Sequence, residues 1–220
     1  IPKHDTDFEL KHFSDAQLKA SGFIADDEFN SFRYMDYSIG KFIAAAKQEK
    51  YFDNTVFVFL GDHGISGYAG AHMPRAWSDL RLTTGHTPLL IYAPKLIRSA
   101  RYDMPAQQID VMPTIAGLLN FSYLNKSLGR DLLDVRFADK RNSFIIYHSE
   151  GPEIGAVNKE TYLTMRADGS NARLHDLRAE NPLRDLLTDD KKIIASKILT
   201  RNIYETARYL LTHNTKEPHP

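Results

Sequence analysis

Apolar positions divide the chain into strand-like and helix-like segments. Residues 55–60 and residues 87–94 are short apolar runs. Such runs predict strands, and the first is typical of a strand buried on both faces of a parallel sheet. Residues 28–50 and 189–213 instead place apolar side chains at helical spacing. Strands that alternate with helices predict an α/β sandwich with a mixed sheet.

The remaining segments extend this pattern. The first helix should bury one apolar face, formed by Phe32, Met35, Ile39, Phe42, Ile43 and Ala46. The last helix should bury Ile194, Ile198, Ile203, Ala207 and Leu210. Residues 107–120 predict a third helix with Asp110 as a plausible N-cap. A strand is expected over residues 143–148, and a hairpin with a glycine turn over residues 162–177.

Composition excludes several classes of protein. The 220 residues carry 28 Lys and Arg against 28 Asp and Glu, and charge is dispersed. A broad nucleic-acid surface needs a basic excess, so no nucleic-acid partner is expected. No apolar stretch reaches the ~18 residues of a membrane-spanning helix. The chain has no cysteine, which excludes disulfides and thiolate metal ligands within it.

The loop after the first strand carries the candidate chemistry. Gly61-Asp62-His63-Gly64 places a carboxylate beside an imidazole, and the flanking glycines allow both side chains to converge on one point. Oxygen and nitrogen donors at the carboxyl end of a strand suit Zn²⁺ or Mn²⁺. A solvated polar turn is the alternative interpretation.

Further candidates follow in the long connection between the two strands. His72 lies in a glycine-rich loop, and His86 directly precedes the second strand. Arg75 could hold an anionic phosphoryl or sulfuryl oxygen, or could be a surface residue. Trp77 could wall a substrate pocket, or could cover the core. Long loops that border a site are often functional.

These motifs resemble one protein family. Gly-Asp-His-Gly, then His72, then His-Thr-Pro-Leu-Leu-Ile-Tyr-Ala-Pro resembles the sulfatase-like branch of the alkaline phosphatase superfamily, closest to lipoteichoic acid synthases and phosphoglycerol transferases. The resemblance implies the C-terminal portion of one catalytic domain. Residues 1–150 would form its sheet-helix core, and residues 151–220 a hairpin and a C-terminal helix. The family's nucleophile and upstream acidic metal ligand would lie before Ile1.

The resemblance also implies a mechanism. Asp62 and His63 would bind one divalent metal, Mn²⁺ or Zn²⁺ with Mg²⁺ or Ca²⁺ as alternatives. His72 or His86 would hold a non-bridging oxygen or protonate the leaving alcohol. Arg75 and Trp77 would contact the substrate.

Three functions remain open. The first choice is a bacterial envelope transferase for phosphoglycerol or phosphoethanolamine groups, on the extracytoplasmic face of the inner membrane and anchored through an N-terminal part outside this sequence. A true sulfatase is the second, and a non-catalytic metal-binding domain is the third. The expected partner is a phosphorylated or sulfated small molecule or lipid headgroup. This chain alone is expected to show no turnover.

Overall fold

The computed structural model describes residues 5–67, 70–71, 73–138, 141–147 and 152–214. The chain forms two compact units, Ile1–Arg101 and Tyr102–Pro220. The first unit contains α1 (Asp15–Ser21), α2 (Asp26–Ala46), β1 (Phe57–Leu60), α3 (Arg75–Asp79) and β2 (Leu89–Tyr92). The second contains α4 (Val111–Leu118), β3 (Ser143–Tyr147), β4 (Glu153–Val157), β5 (Thr161–Arg166), β6 (Arg173–Asp176) and α5 (Asp190–His213).

Local capping and a buried amide organise the start of the first unit. Ser14 and Gln17 form a capping box at the start of α1, which satisfies backbone donors that the helix leaves unpaired. Asn30, on α2, is buried. Its side chain accepts a hydrogen bond from Lys11 N at 3.0 Å and donates one to Lys11 O at 2.7 Å. These two bonds attach the preceding extended segment to α2.

The two predicted strands pair with each other, but the parallel arrangement is wrong. β1 and β2 form an antiparallel pair with Phe57 opposite Tyr92. Between the two strands, the described residues form the five-residue α3 and a 3₁₀ turn but no longer crossover helix, and the chain returns to pair antiparallel. Phe57 packs with Ala46 and Phe52, while Leu60 is 46% exposed. Burial of this strand on both faces is therefore not observed.

A buried carboxylate organises the start of the second unit. A 3₁₀ turn over Gln108–Asp110 leads into α4. Asp110 is 3% exposed and accepts backbone hydrogen bonds from Gln107 N at 2.9 Å and Arg130 N at 2.8 Å. Asp110 occupies the N-cap position of α4, as predicted, but its carboxylate makes no capping bond to that helix and instead joins the turn to a later loop.

The second sheet is antiparallel, with the strand order β3-β4-β5-β6. The expected mixed sheet is therefore not present among the described residues. Ile154, Leu163, Met165 and Leu174 form the core on one face of this sheet, and Ile193 and Tyr204 of α5 pack against it. The predicted hairpin is confirmed as β5 and β6. The sequence pattern missed β4, and His148 lies outside the described residues.

Strand β5 is buried on both of its faces. Tyr162, Leu163, Thr164 and Met165 are all buried in succession. His175 on β6 is 3% exposed, and its Nδ1 lies 2.9 Å from Pro182 O. Since a carbonyl only accepts, Nδ1 carries a proton and donates it to Pro182. Burial lowers the pKa of His175, so the buried ring is neutral near pH 7.

The apolar face of α5 is partly shifted from the predicted one. Ile194 and Ile198 are each 56% exposed, while Ile193 and Tyr204 pack on the sheet and Thr200 is buried. Ile203, Ala207 and Leu210 are half-buried, as expected. Among the residues that the structure describes, none of the helices combines the length and the apolar character needed to cross a membrane.

We predict that Asp110→Ala lowers the free energy of unfolding by about 2–4 kcal/mol, because two half-buried backbone donors lose the buried carboxylate that accepts from them. Asp110→Asn should lose less, since its carbonyl oxygen can still accept. Urea unfolding of the chain measures both. Asp36→Ala, an exposed site on α2, is the control and should change stability by no more than about 0.5 kcal/mol. Equal stability of Asp110→Ala and this control would refute the role of Asp110.

We predict that His175 makes the chain less stable in acid. Its folded pKa lies below the unfolded value of about 6.5, so its contribution is complete above that pH and is lost as pH falls through the folded pKa. His175→Asn keeps a donor for Pro182 O and cannot titrate. Urea unfolding at pH 7.5 and 5.5 should show a larger acid loss for the wild type. An identical loss in both proteins would contradict this prediction.

Candidate functional site

The candidate site lies at the carboxyl end of β1, in the first unit. Gly61 N donates to Pro88 O at 3.2 Å, which extends the pairing of β1 with β2 by one residue. The next two side chains leave the sheet, and Asp62 and His63 are 90% and 75% exposed. The end of the strand therefore presents both side chains to solvent, and their metal-binding role stays a prediction.

A close backbone contact holds this loop in place. Gly64 N donates to Thr84 O at 2.8 Å. A Cβ atom at Gly64 would collide with the carbonyl oxygen of Thr83 and would lie 2.7 Å from His86 O. Only glycine leaves room for this approach. The loop is thus joined to the 3₁₀ turn Leu82–Gly85, which leads directly to His86.

The geometry of the Asp62–His63 pair sets its protonation. His63 Nδ1 lies 2.9 Å from Gly64 O. Since the carbonyl can only accept, Nδ1 carries a proton, and the lone pair of a neutral ring is on Nε2. His63 N donates to Asp62 Oδ1 at 2.9 Å. This hydrogen bond, aided by the nearby imidazole, lowers the pKa of the Asp62 carboxyl and keeps it ionised near neutral pH.

This pair fits two ligands of a divalent metal. His63 Nε2 and Asp62 Oδ2 lie 3.8 Å apart. Two ligands at about 2.1 Å from one tetrahedral ion lie roughly 3.4 Å apart, so a small rotation would bring both onto one ion. Donation of Nδ1–H to a carbonyl is the usual way in which a ligating histidine is oriented. Within the described residues, no group of three or more His, Cys, Asp or Glu could hold a metal ion.

His86 lies beside an aromatic ring. The ring centroids of Trp77 and His86 are 4.4 Å apart, and their planes meet at 60°, an edge-to-face arrangement. His86 is exposed as a residue, but Trp77 shields its ring, and this partial burial lowers the pKa of His86. A neutral imidazole is therefore favoured at neutral pH.

The other predicted site residues differ in their surroundings. Arg75 Nε donates to Asp79 Oδ2 at 2.8 Å, one turn along α3. The guanidinium of Arg75, which the sequence analysis assigned to a substrate oxyanion, is thus part of an ion pair at the surface. Trp77 is half-buried and contacts His86. His72 lies outside the described residues, and its role stays a prediction.

Sequence reasoning missed the contacts that assemble the site. Residues 83–85 were considered only as part of a connection, yet Thr84 O accepts a hydrogen bond from Gly64 N. The Trp77–His86 ring contact also joins residues nine positions apart. The glycine after Asp62-His63 was the available signal, since a glycine next to a functional pair often marks a close backbone approach.

Comparison with known proteins identifies the family. A model of the family described as Sulfatase matches residues 10–121, about half of the chain. The matched range includes Asp62, His63, Trp77 and His86. The chain belongs to the sulfatase family, within the alkaline phosphatase superfamily.

Individual relatives agree with this assignment. Lipoteichoic acid synthase 2 of Bacillus subtilis is 30% identical over 122 residues, which are 52% of this chain and 18% of the synthase. The solved lipoteichoic acid synthase LtaP from Listeria monocytogenes has a TM-score of 0.65 at 16% identity, over 94% of this chain and 50% of LtaP. The chain thus spans less than a fifth of the first relative and half of the second.

A third comparison concerns a protein solved with its substrate, D-glucosamine-2-N,6-O-disulfate. It has a TM-score of 0.56 at 15% identity, over 96% of this chain and 45% of that protein. At such identities, the two solved structures show a shared fold. The comparisons therefore support both a synthase-like and a sulfatase-like parentage, and neither is specifically favoured.

We predict that Gly64→Ala displaces the Asp62–His63 loop, because its Cβ would collide with Thr83 O. The free energy of unfolding should fall by about 1–3 kcal/mol, which lowers the urea concentration at the unfolding midpoint. Gly85→Ala is the matched control, since a Cβ there meets nothing within 4 Å. If both variants unfold at the wild-type urea concentration, Gly64 does not hold the loop.

Proposed function

We propose that this chain provides the metal-holding part of an enzyme that transfers or hydrolyses phosphate or sulfate esters. The observation that carries the proposal is the pairing of an ionised Asp62 with His63, whose Nε2 lies 3.8 Å from Asp62 Oδ2. Membership of the sulfatase family, which is typically metal-dependent, supports it. The proposed metal is Mn²⁺ or Zn²⁺, because the ligands are one carboxylate and one imidazole.

The roles of the residues follow from this donor set. Asp62 and His63 would hold the metal. A metal bound there lowers the pKa of an attacking hydroxyl and neutralises the charge of the group in transfer. The nucleophile is proposed to lie outside this sequence. Its oxygen would bond to phosphorus or sulfur while the ester oxygen leaves with a proton. An acceptor hydroxyl or water then displaces the nucleophile.

The histidines and the substrate contacts are assigned next. His86 would hold a non-bridging oxygen through its N–H, a role that suits a neutral ring. His72 keeps the alternative role of a proton donor to the leaving alcohol. Trp77 lies beside His86, within reach of the same region. Arg75 would contact the substrate through its terminal guanidinium nitrogens, because its bond to Asp79 uses Nε.

The first choice is a transferase of the bacterial envelope that moves phosphoglycerol or phosphoethanolamine groups. The match to a lipoteichoic acid synthase over about half of this chain supports it. The donor would be a phosphorylated lipid headgroup. The enzyme would lie on the extracytoplasmic face of the inner membrane, attached through a part of the protein outside this sequence.

A true sulfatase is the second candidate. The family model and the neighbour by fold that was solved with a disulfated sugar favour it. Its substrate would be a sulfated small molecule. A non-catalytic domain that binds metal through Asp62 and His63 is the third candidate. Metal binding does not separate the third from the others, whereas turnover does.

Turnover of the intact natural protein that contains this sequence tests the proposal. Phosphatidylglycerol with a fluorescent acyl chain and an aryl sulfate are offered separately with Mn²⁺. Release of fluorescent diacylglycerol alone supports the transferase, and release of sulfate alone supports the sulfatase. Metal binding without turnover of either substrate would reject both enzymes. The chain of 220 residues by itself should turn over neither.

We predict that Asp62→Asn and His63→Ala each abolish metal-dependent turnover in the intact protein. Each should weaken Mn²⁺ binding by about 10- to 100-fold or more, because each removes a direct ligand. Calorimetric titration with Mn²⁺ and the turnover assay check the two effects separately. Full activity and full metal content in either variant would refute the assignment.

Matched control variants remove an exposed residue of the same type. Asp36→Asn on α2 and His12→Ala in the segment before α1 replace residues that are exposed and distant in sequence from the loop. Both controls should retain turnover and Mn²⁺ affinity. An equal loss in the controls would show that the effect of Asp62→Asn or His63→Ala is not specific to the site.

A further inference from the structure

The edge-to-face contact between Trp77 and His86 has a specific geometry. A centroid separation of 4.4 Å is at the short end for such aromatic pairs, and the 60° angle places one ring edge against the other ring face. Such a contact restricts the rotation of the imidazole and excludes water from the side of the imidazole that meets the indole. The orientation of His86 therefore depends on Trp77.

Both partners are carried by anchored segments. Trp77 lies on α3 between two core residues, Ala76 at 0% and Leu80 at 7% exposure. His86 follows the 3₁₀ turn Leu82–Gly85, whose first residue, Leu82, is 4% exposed. The backbone contact with Gly64 restrains the same turn. The two rings therefore meet because their backbones are fixed, and not because two mobile side chains happen to touch.

The charges around His86 do not account for its properties. The charged groups on the segments packed around it are Arg75, Asp79, Arg81, Asp62 and His63. Arg75 and Asp79 neutralise one another in an ion pair. Burial of the ring is the cause that lowers the pKa of His86. Trp77 is the aromatic ring that contacts it, so the indole contributes to that burial.

We propose that Trp77 is the positioning residue of His86, and that its indole holds the imidazole as a neutral, oriented hydrogen-bonding group beside the Asp62–His63 loop. This assigns Trp77 a role through His86, in place of direct contact with substrate. The catalytic consequence rests on the proposed function, whereas the orientation and charge of His86 belong to this chain alone.

The consequence concerns which task His86 performs. An unperturbed histidine would be about one quarter protonated at pH 7. Burial lowers the pKa of His86, so the shielded ring is protonated less often there and is a poorer proton donor to a leaving alcohol. It can donate its remaining N–H to a non-bridging oxygen of the phosphoryl or sulfuryl group. Trp77 thus favours the oxygen-holding role over the acid role.

The first experiment uses the fluorescence of Trp77, which is the only tryptophan of the chain. A protonated imidazole in contact with an indole quenches its emission. Acidification of the wild-type chain should therefore lower the emission in a step with its midpoint below about 6.5. His86→Asn should remove the step, while His63→Asn should retain it. A step that persists in His86→Asn would overturn the proposal.

The second experiment follows the ring protons of His86 by NMR between pH 4 and pH 8. In Trp77→Leu, the midpoint should rise from its wild-type value towards about 6.5, as water reaches the ring. Trp77→Phe, which keeps an aromatic ring, should stay nearer the wild type. An unchanged midpoint in Trp77→Leu would overturn the proposal. A fall would do the same, because the indole would then be stabilising the charged ring.

The fluorescence titration of the wild-type chain and the NMR titration of Trp77→Phe do not depend on Trp77→Leu. The proposal therefore stays testable even if Trp77→Leu does not fold. In the intact enzyme, Trp77→Leu should lower kcat by about 10- to 100-fold with little change in KM, and Trp77→Phe should restore most of it. A loss confined to KM would mean that Trp77 binds substrate directly, which overturns the positioning role.

Failure of the proposed function has a different signature. If His86 titrates as predicted in the chain while His86→Asn retains full turnover in the intact protein, Trp77 positions His86 but the catalytic role of His86 fails. If turnover depends on His86 while the titration midpoint of His86 is unchanged by substitution of Trp77, the proposed function is supported and the positioning role fails.

Discussion

The candidate site depends on one close backbone contact, between Gly64 and the segment that leads to His86. Gly64 N donates to Thr84 O, and the carbonyls of Thr83 and His86 occupy the space that a side chain would need. With the loop held there, Asp62 and His63 project outward from the end of β1. The same contact restrains His86, the residue that Trp77 shields. The absence of a side chain at Gly64 thus permits the contact that holds Asp62, His63, Trp77 and His86 in place.

Much of this could be read from the sequence because it is local. The helix α2 and the hairpin of β5 and β6 depend on residues close together in the chain. The predicted apolar face of α2 is only partly correct, because Phe32, Met35 and Phe42 are 53%, 48% and 50% exposed. The placement of Asp62 and His63 after a strand is equally local. Their protonation was not predictable, because it depends on where the Gly64 carbonyl lies relative to His63 Nδ1.

Burial was harder to predict, because it depends on what covers a side chain. The continuous apolar run of β1 predicted burial on both faces, yet Leu60 is 46% exposed among the described residues. In β5, Tyr162 and Thr164 carry polar groups, yet both side chains are buried. Gly155 leaves space for the Tyr162 ring, and His175 packs beside that ring. On α5, Ile194 and Ile198 were predicted to face the core but are exposed, and Ile193 and Thr200 face it instead. The helical spacing of apolar residues therefore predicts which face of a helix is buried only to within about one residue.

The central claim is that Asp62 and His63 hold a metal in a sulfatase-family enzyme. The most direct measurement is a crystal structure of the intact protein grown with Mn²⁺, with data recorded at a wavelength where manganese scatters anomalously. The account predicts an anomalous peak bonded to both Asp62 Oδ2 and His63 Nε2, with His63 Nδ1 still donating to Gly64 O. A manganese peak bonded to other residues, with both side chains left in solvent, would contradict it.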